Sequence, residues 1–287
     1  MELLSALHRA LRRYLVLRGV ASSVAPIDGC PMHYYDLRGT GTGPPLVLVH
    51  GLASSANAFY KVVHRLSRRF SRVLVPDLPG NGFSPLPSSA PDGLGPRRQL
   101  EYLKGFFRAV VQEPAFVVGN SLGGAMTLTL AHETPEHVRA IGLVSPAGAR
   151  VSEERFAELI RSLHVHTNAD ARALTRRLFH RTPVAALLLA GELRKMYGTR
   201  TVKAVLRESS FADLLEPAQV QSLSQPTLLI WGKSEKLLPW EGIDFFRQHL
   251  PKHAEVHVVE GFGHVPQMER PAELVRHLVG FADRSGL

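Results

Sequence analysis

An apolar run that ends abruptly in a glycine-flanked serine constrains this chain more than any other stretch. Residues 116–118 are Phe-Val-Val, the next five read Gly-Asn-Ser-Leu-Gly, and a helix-forming run follows from Ala125 to Thr134. With glycine at both second neighbours of Ser121, the chain can make a very tight turn that holds the serine in a strained backbone conformation. The stretch therefore predicts a buried strand, a tight turn and a helix, with the Ser121 hydroxyl projecting beside a helix N-terminus.

Patterns typical of strands and helices alternate along most of the 287 residues. An Asp28-Gly29 turn predicts a hairpin over 22–37, and further strands are expected at 46–49, 72–75, 116–118, 141–144, 227–232 and 256–259. Helices are expected at 57–69, 97–111, 125–134 and 270–284. This alternation predicts an α/β fold, in which a mostly parallel sheet is covered by helices on both faces.

Residues 149–215 differ from the rest because they show several helix starts and no strand-like alternation. Ser152 can cap a helix, and Thr182-Pro183 resembles an N-cap followed by proline. We expect three or four helices, inserted as a cap after the strand that ends near 145. The chain would then divide into an N-terminal helix (1–20), a core (21–148 and 216–287) and a helical cap (149–215). The apolar run 184–190 is either cap core, which we favour, or the lining of a substrate pocket.

The first twenty residues predict a basic amphipathic helix over 3–18, with leucines on one side and Arg9, Arg12 and Arg13 on the other. Such a helix can lie in a membrane interface or pack on the domain, and both interpretations stay open. The formal net charge is +9, of which residues 1–20 carry +3 and residues 149–215 carry +5. No recognition motif and no basic–aromatic interleaving accompany this charge, so we expect no nucleic-acid partner.

The cysteine content and the N-terminus bear on the compartment. Cys30 is the only cysteine, which excludes an intrachain disulfide and cysteine-based metal sites and suits a reducing environment. Residues 1–20 lack the uninterrupted apolar core of a secretory signal, and no apolar stretch is long enough to span a bilayer. We expect a cytoplasmic protein, with peripheral contact to an anionic membrane left open.

Loops after the predicted strands supply the groups that a nucleophilic serine needs, namely a base, an acid that orients the base, and donors for an oxyanion. His264 lies between the last strand and the last helix, at the same edge of a parallel sheet as Ser121. Glu235 is the only acidic residue of the loop 231–239. His50-Gly51 follows the strand at 46–49, where backbone amides can face the neighbouring strand, and we expect the His50 side chain to be structural.

Together these motifs resemble the serine-hydrolase branch of the α/β-hydrolase superfamily, with a helical cap. The resemblance covers residues 25–285 and rests on His50-Gly51, the segment 77–84 (Asp-Leu-Pro-Gly-Asn-Gly-Phe-Ser), the segment 119–124, Trp231-Gly232 and Gly263-His264. It implies that Ser121 is the nucleophile, His264 the general base and Glu235 the orienting acid, where the family usually has aspartate. It also implies oxyanion-hole amides from Leu52 and Leu122. The fold places its acid after the serine, so Asp77 is interpreted as a turn-former.

The resemblance implies a carboxylic-ester hydrolase, an esterase or lipase for medium-length acyl or monoacylglycerol substrates, with no cofactor and no metal. His164 and His166 lack a suitably spaced third ligand. Hydrolases that cleave carbon–carbon bonds in ring-fission products are the alternative, because they share the Gly-Asn-Ser segment. They usually carry a glycine-rich oxyanion loop and an aromatic residue after the histidine, where this chain has Leu-Ala-Ser-Ser at 52–55 and Val265. A non-catalytic receptor on the same fold is a third interpretation.

Overall fold

Eight strands form one sheet in the computed structural model, which describes residues 2–287. In chain order they are β1 (Ala21–Ile27), β2 (Cys30–Arg38), β3 (Leu46–Val49), β4 (Arg72–Pro76), β5 (Ala115–Asn120), β6 (Val138–Val144), β7 (Thr227–Gly232) and β8 (Glu255–Val259). Their order across the sheet is β1-β2-β4-β3-β5-β6-β7-β8. The pairs β1–β2 and β2–β4 are antiparallel and the other five are parallel, which confirms the predicted α/β fold.

Thirteen α-helices accompany the sheet within residues 2–287. They are α1 (Glu2–Leu17), α2 (Val63–Leu66), α3 (Pro96–Phe106), α4 (Leu122–Glu133), α5 (Glu153–Leu163), α6 (Asn168–Leu178), α7 (Val184–Leu188), α8 (Ala190–Tyr197), α9 (Arg200–Glu208), α10 (Pro217–Gln221), α11 (Glu241–His249), α12 (Pro266–Glu269) and α13 (Pro271–Arg284). None of these helices combines the length and the apolar character that crossing a bilayer requires.

Helices cover both faces of the sheet, and this explains the continuous apolar runs of its central strands. β3, β5 and β7 are buried along their whole length. One apolar cluster includes Phe106 of α3 and Phe246 of α11, and a second includes Phe281 of α13 and Phe116 of β5. Strands buried on both faces need apolar side chains at every position, so their runs do not alternate.

The segment predicted as one helix over 57–69 is broken, and that prediction is wrong. The structure has a 3₁₀ turn at Ala56–Phe59 and the single helical turn of α2. The Ala56 amide donates to Asp77 Oδ1 at 2.7 Å, and the Tyr35 hydroxyl donates to Asn57 Oδ1 at 2.8 Å. These long-range hydrogen bonds hold the start of the segment against the sheet, so tertiary contacts override its local helical pattern.

Five α-helices, α5–α9, lie within residues 149–215, more than the three or four expected, and the short α10 follows them before β7. Residues of α5, α6, α8 and α9 share an apolar cluster that includes Leu163, Leu174, Tyr197 and Val202. Ser152 accepts from the Arg155 amide, as predicted for an N-cap, whereas α7 begins after Pro183 and lacks a side-chain cap. We name residues 149–215 the helical insertion. That this insertion is a cap domain separate from the core stays a prediction.

Candidate active site

The turn after β5 has the strained geometry that the sequence predicts. Ser121 has φ 57° and ψ −122°, and α4 begins at the next residue. A Cβ added to Gly119 would lie 2.1 Å from the Gly123 carbonyl oxygen, and one added to Gly123 would lie 2.3 Å from the Val49 carbonyl oxygen. Only glycine fits at these two positions, because the backbone segments pass too closely for a side chain. The packing thus holds Ser121 in a conformation that L-residues rarely adopt.

A buried histidine–carboxylate pair lies at the same edge of the sheet. Nδ1 of His264, in the loop between β8 and α12, is 2.8 Å from Oε2 of Glu235, in the loop after β7. The amides of Leu237 and Leu238 donate to Glu235 Oε1 at 2.7 and 3.1 Å. Burial alone would raise the pKa of Glu235, but His264 and the two amides outweigh burial and lower the pKa. Glu235 is therefore an ionised acceptor that fixes the ring and leaves His264 Nε2 for another partner.

Hydrogen bonds to the His264 backbone hold its loop in place. The His264 amide donates to the Leu178 carbonyl at 2.9 Å, and the His264 carbonyl accepts from Asn120 Nδ2 at 2.9 Å. Asn120 also donates to the Val144 carbonyl and accepts from Gln267 Nε2, each at 3.0 Å. Asn120 therefore connects the end of β5, the end of β6 and the His264 loop, which is a structural role.

The loop after β3 runs beside Ser121. A Cβ added to Gly51 would lie 3.0 Å from Ser121 Cβ, which shows how near the loop passes. His50 Nδ1 is 2.9 Å from the Gly51 carbonyl oxygen, and His50 Nε2 is 3.1 Å from the Leu78 amide. A carbonyl only accepts and an amide only donates, so His50 is neutral with its proton on Nδ1. Burial lowers the pKa of His50, against the opposing effects of Asp77 and the Gly51 carbonyl. The side chain braces the loop, as expected.

A second buried histidine–carboxylate pair lies between β2 and the loop after β4. His33 Nδ1 is 2.7 Å from Asp77 Oδ2, and His33 Nε2 is 2.8 Å from the hydroxyl oxygen of Ser22. The Ala56 amide donates to Asp77 Oδ1 at 2.7 Å, and the Phe83 amide donates to Asp77 Oδ2 at 3.0 Å. Asp77 therefore holds three segments together, a larger role than the turn-former that we expected.

A cavity of about 840 Å³ opens beside Ser121. Ser121, His264, Leu52 and Leu122 all line it, so the sequence-predicted residues other than the buried Glu235 meet on one cavity. The remaining wall is mostly apolar and comes from α1, the helical insertion and loops of the core. Ala186 and Leu189 contribute to it, while Val184 and Leu188 are exposed. The favoured interpretation of 184–190 as cap core is therefore wrong for most of that run.

Comparison with known proteins places this geometry in a family. Residues 46–277 match the model of the alpha/beta hydrolase family. This chain belongs to the α/β-hydrolase family. A pimeloyl-[acyl-carrier protein] methyl ester esterase of Nitrosomonas europaea is 31% identical over 252 residues, covering 82% of this chain and 94% of that protein.

Two further similarities bear on the type of reaction. A 2-hydroxymuconate semialdehyde hydrolase of Pseudomonas sp. (strain CF600) is 26% identical over 269 residues, covering 88% of this chain and 92% of that protein. The crystal structure of a membrane phospholipase A superposes with a TM-score of 0.78 at 27% identity, covering 98% of this chain and 91% of that one.

Several residues that hold the loops of this site in place could not be predicted from sequence patterns. Arg177 of α6 donates to the carbonyl of Leu237 at 3.0 Å, and the Leu237 amide donates to Glu235. Glu269 accepts from the amides of His180 at 2.7 Å and Gly263 at 3.1 Å, so it ties the helical insertion to the His264 loop. Arg177 and His180 lie 60 or more residues from their partners, and the Gly263 group that binds Glu269 is a backbone amide. No local sequence pattern predicts contacts of either kind. The His164 and His166 rings stack with their centroids 6.0 Å apart. Among residues 2–287, no three His, Cys, Asp or Glu side chains are grouped closely enough to hold a metal ion.

Proposed function

We propose that this chain hydrolyses carboxylic esters through an acyl-enzyme formed on Ser121. The Ser121 Oγ attacks the ester carbonyl carbon while its proton passes to His264 Nε2, and Glu235 stabilises the resulting imidazolium. The Leu52 and Leu122 amides donate to the oxyanion of the tetrahedral intermediate. The intermediate collapses, the alcohol leaves with the proton from His264, and water then releases the acid by the same steps.

One observation carries this proposal: Ser121 on its strained turn and the Glu235-oriented His264 line the same apolar cavity. That combination supplies a nucleophile, a base and room for a substrate. Ester hydrolysis is supported by the relative that is a methyl ester esterase and by the similarity to a membrane phospholipase A. The apolar wall and the volume of about 840 Å³ favour esters with an acyl chain of medium length, and monoacylglycerol is one such ester.

Carbon–carbon bond hydrolysis is the second candidate, and the 2-hydroxymuconate semialdehyde hydrolase favours it. Against it, the oxyanion loop lacks the glycines usual in those enzymes, and Val265 follows His264. Turnover of an ester series graded by acyl length, with a ring-fission dienone in parallel, tests the choice. We expect ester hydrolysis to exceed dienone cleavage at every acyl length from C4 to C12. Dienone cleavage without ester hydrolysis would overturn the proposal, and no turnover of either would favour a receptor.

Reversible docking on an anionic membrane would bring lipid esters to this cavity. Leu3 and Leu7 of α1 line the cavity and are 60% and 43% exposed, and Val184 and Leu188 of α7 are 72% and 81% exposed. The same helix α1 carries Arg9, Arg12 and Arg13. An interfacial helix gains from inserting apolar side chains, and each nearby cation adds about 1 kcal/mol at an anionic surface.

Sedimentation with liposomes tests the docking. We expect binding to phosphatidylserine-containing vesicles that falls as salt rises, and loss of much of it in a Leu3→Ser, Leu7→Ser double variant. Val24→Ser, on an exposed residue of β1, is the matched control. Deleting residues 1–20 would be a poorer test because it removes the buried Leu15 and Val20. Equal, negligible binding to neutral and anionic vesicles contradicts docking and leaves the esterase proposal intact.

A further inference from the structure

The N-terminal helix α1 borders the cavity that contains Ser121. Leu4, Leu7, His8 and Leu11 line that cavity, although they lie more than 100 residues before Ser121 in the chain. Residues spaced by three and four share one face of a helix, so these four side chains form one stripe. Burial lowers the pKa of His8, which suits a neutral member of an apolar wall.

The two ends of α1 are held differently. At the C-terminal end, Leu15 is completely buried in the core cluster, and the Arg12 guanidinium lies 5.1 Å from the centre of the Phe83 ring. At the N-terminal end, the Leu4 amide donates to Glu192 Oε2 of α8 at 3.3 Å. The helix therefore bridges the core and the helical insertion, and the stripe between these two attachments faces the cavity.

From this arrangement we infer that α1 forms the acyl-binding wall of the site and that Leu7 and Leu11 limit the length of the acyl chain. The inference rests on the proposed function, and it names the part of the site that selects among esters. Leu193 and Met196 of α8 also line the cavity, so an acyl chain would lie between two helices. Apolar contact along a chain discriminates by methylene count, because each buried methylene contributes to binding.

Enlarging one side chain of the wall tests the inference. Leu11→Trp places a larger ring in the cavity, and Leu17→Trp places the same ring on the exposed part of the same helix, outside the cavity. We expect the ratio of kcat/KM for a dodecanoate ester to that for a butyrate ester to fall about tenfold or more in Leu11→Trp. The ratio should stay within about twofold of wild type in Leu17→Trp, as for ordinary surface substitutions.

A labelling measurement decides the matter without any turnover. Cys30 is buried, so Leu11→Cys and Leu17→Cys each add one accessible thiol for a maleimide. Saturating decanoate should remove most of the labelling of Leu11→Cys and leave that of Leu17→Cys unchanged. The inference is overturned if decanoate protects neither thiol, or if the two tryptophan variants have the same acyl-length profile. If the protein cleaves no ester but decanoate still protects Leu11→Cys, the proposed function is refuted and the inference that α1 binds the acyl chain is retained.

Discussion

Two buried histidine–carboxylate pairs lie within the described residues 2–287, and their local geometry is almost identical. His264 Nδ1 lies 2.8 Å from Glu235 and His33 Nδ1 lies 2.7 Å from Asp77. His33 even has a serine hydroxyl, that of Ser22, 2.8 Å from its other nitrogen. By residue type and distance alone, the second group is the more complete serine–histidine–acid arrangement.

The surroundings separate the two pairs. His264 and Ser121 line a large cavity, while Ser22, His33 and Asp77 lie outside it. Ser121 occupies a strained turn at the start of α4, whereas Ser22 lies in the regular strand β1. The oxygens of Asp77 also accept the amides of Ala56 and Phe83, so that pair fastens loops together. The comparison teaches that space for a substrate beside a serine on a strained turn, more than the local serine–histidine–acid geometry, distinguishes the candidate active site.

The largest expected effect concerns the acid of the first pair. Glu235→Gln should lower kcat by a factor on the order of a thousand or more with little change in KM, because the amide can hold the wrong tautomer of His264. Steady-state kinetics on a butyrate ester measure this, with circular dichroism to confirm folding. Near-normal turnover would mean that another group, or none, orients His264.

The matching change in the second pair should act on stability. Asp77→Asn removes a buried charge and sets an amide group against the backbone donors, which should cost about 3 kcal/mol in the free energy of unfolding. Urea unfolding at neutral pH measures the loss. The variant should retain far more activity than Glu235→Gln at low temperature. A stable but inactive Asp77→Asn protein would mean that the second pair takes part in catalysis.

A smaller effect, on the pH dependence of the free energy of unfolding, follows from the lowered pKa of Glu235. A carboxyl whose pKa is lower in the folded state adds stability above the pKa of the unfolded chain, near 4.5, and loses it as the pH falls through the folded-state pKa. The stability advantage of wild type over Glu235→Gln should therefore be full at pH 6 and shrink below about pH 4.5. Urea midpoints for both proteins between pH 3 and 6 measure it. A constant difference across that range would contradict the ionised, hydrogen-bonded Glu235.

The smallest effect is expected for Ser22→Ala. It removes one partly buried hydrogen bond to His33, which should cost about 1 kcal/mol or less in the free energy of unfolding. Ester hydrolysis should be unchanged, since Ser22 lies outside the cavity. A loss of activity comparable to that of Glu235→Gln would reverse the roles of the two pairs.

Much of the fold and the centre of the site could be predicted because local patterns encode them. The strands β3, β5 and β7 are buried on both faces, and that burial requires the apolar runs seen in the sequence. The glycines around Ser121 and the position of His264 and Glu235 in loops after strands likewise follow from the requirements of a turn and a sheet edge. The paired atoms of His264 and Glu235 lie where those loops predict.

The cavity walls and the second pair could not be predicted, because contacts between distant residues create them. His33 and Asp77 are 44 residues apart, and Leu4 and Glu192 are 188 apart. The amphipathic pattern of α1 indicates a helix with an apolar side, but not what that side faces. The wrong prediction of a helix over 57–69 has the same cause. Tyr35 of β2 binds Asn57, and Asp77 after β4 binds the preceding residue Ala56, so distant residues fix the start of this segment.

Labelling with a fluorophosphonate probe, followed by peptide mapping, tests most directly whether the serine on the cavity is the nucleophile. The account predicts a covalent adduct on Ser121 alone, which disappears in Ser121→Ala and persists in Ser22→Ala. An adduct on Ser22 or on any other serine, or labelling that survives Ser121→Ala, would contradict it.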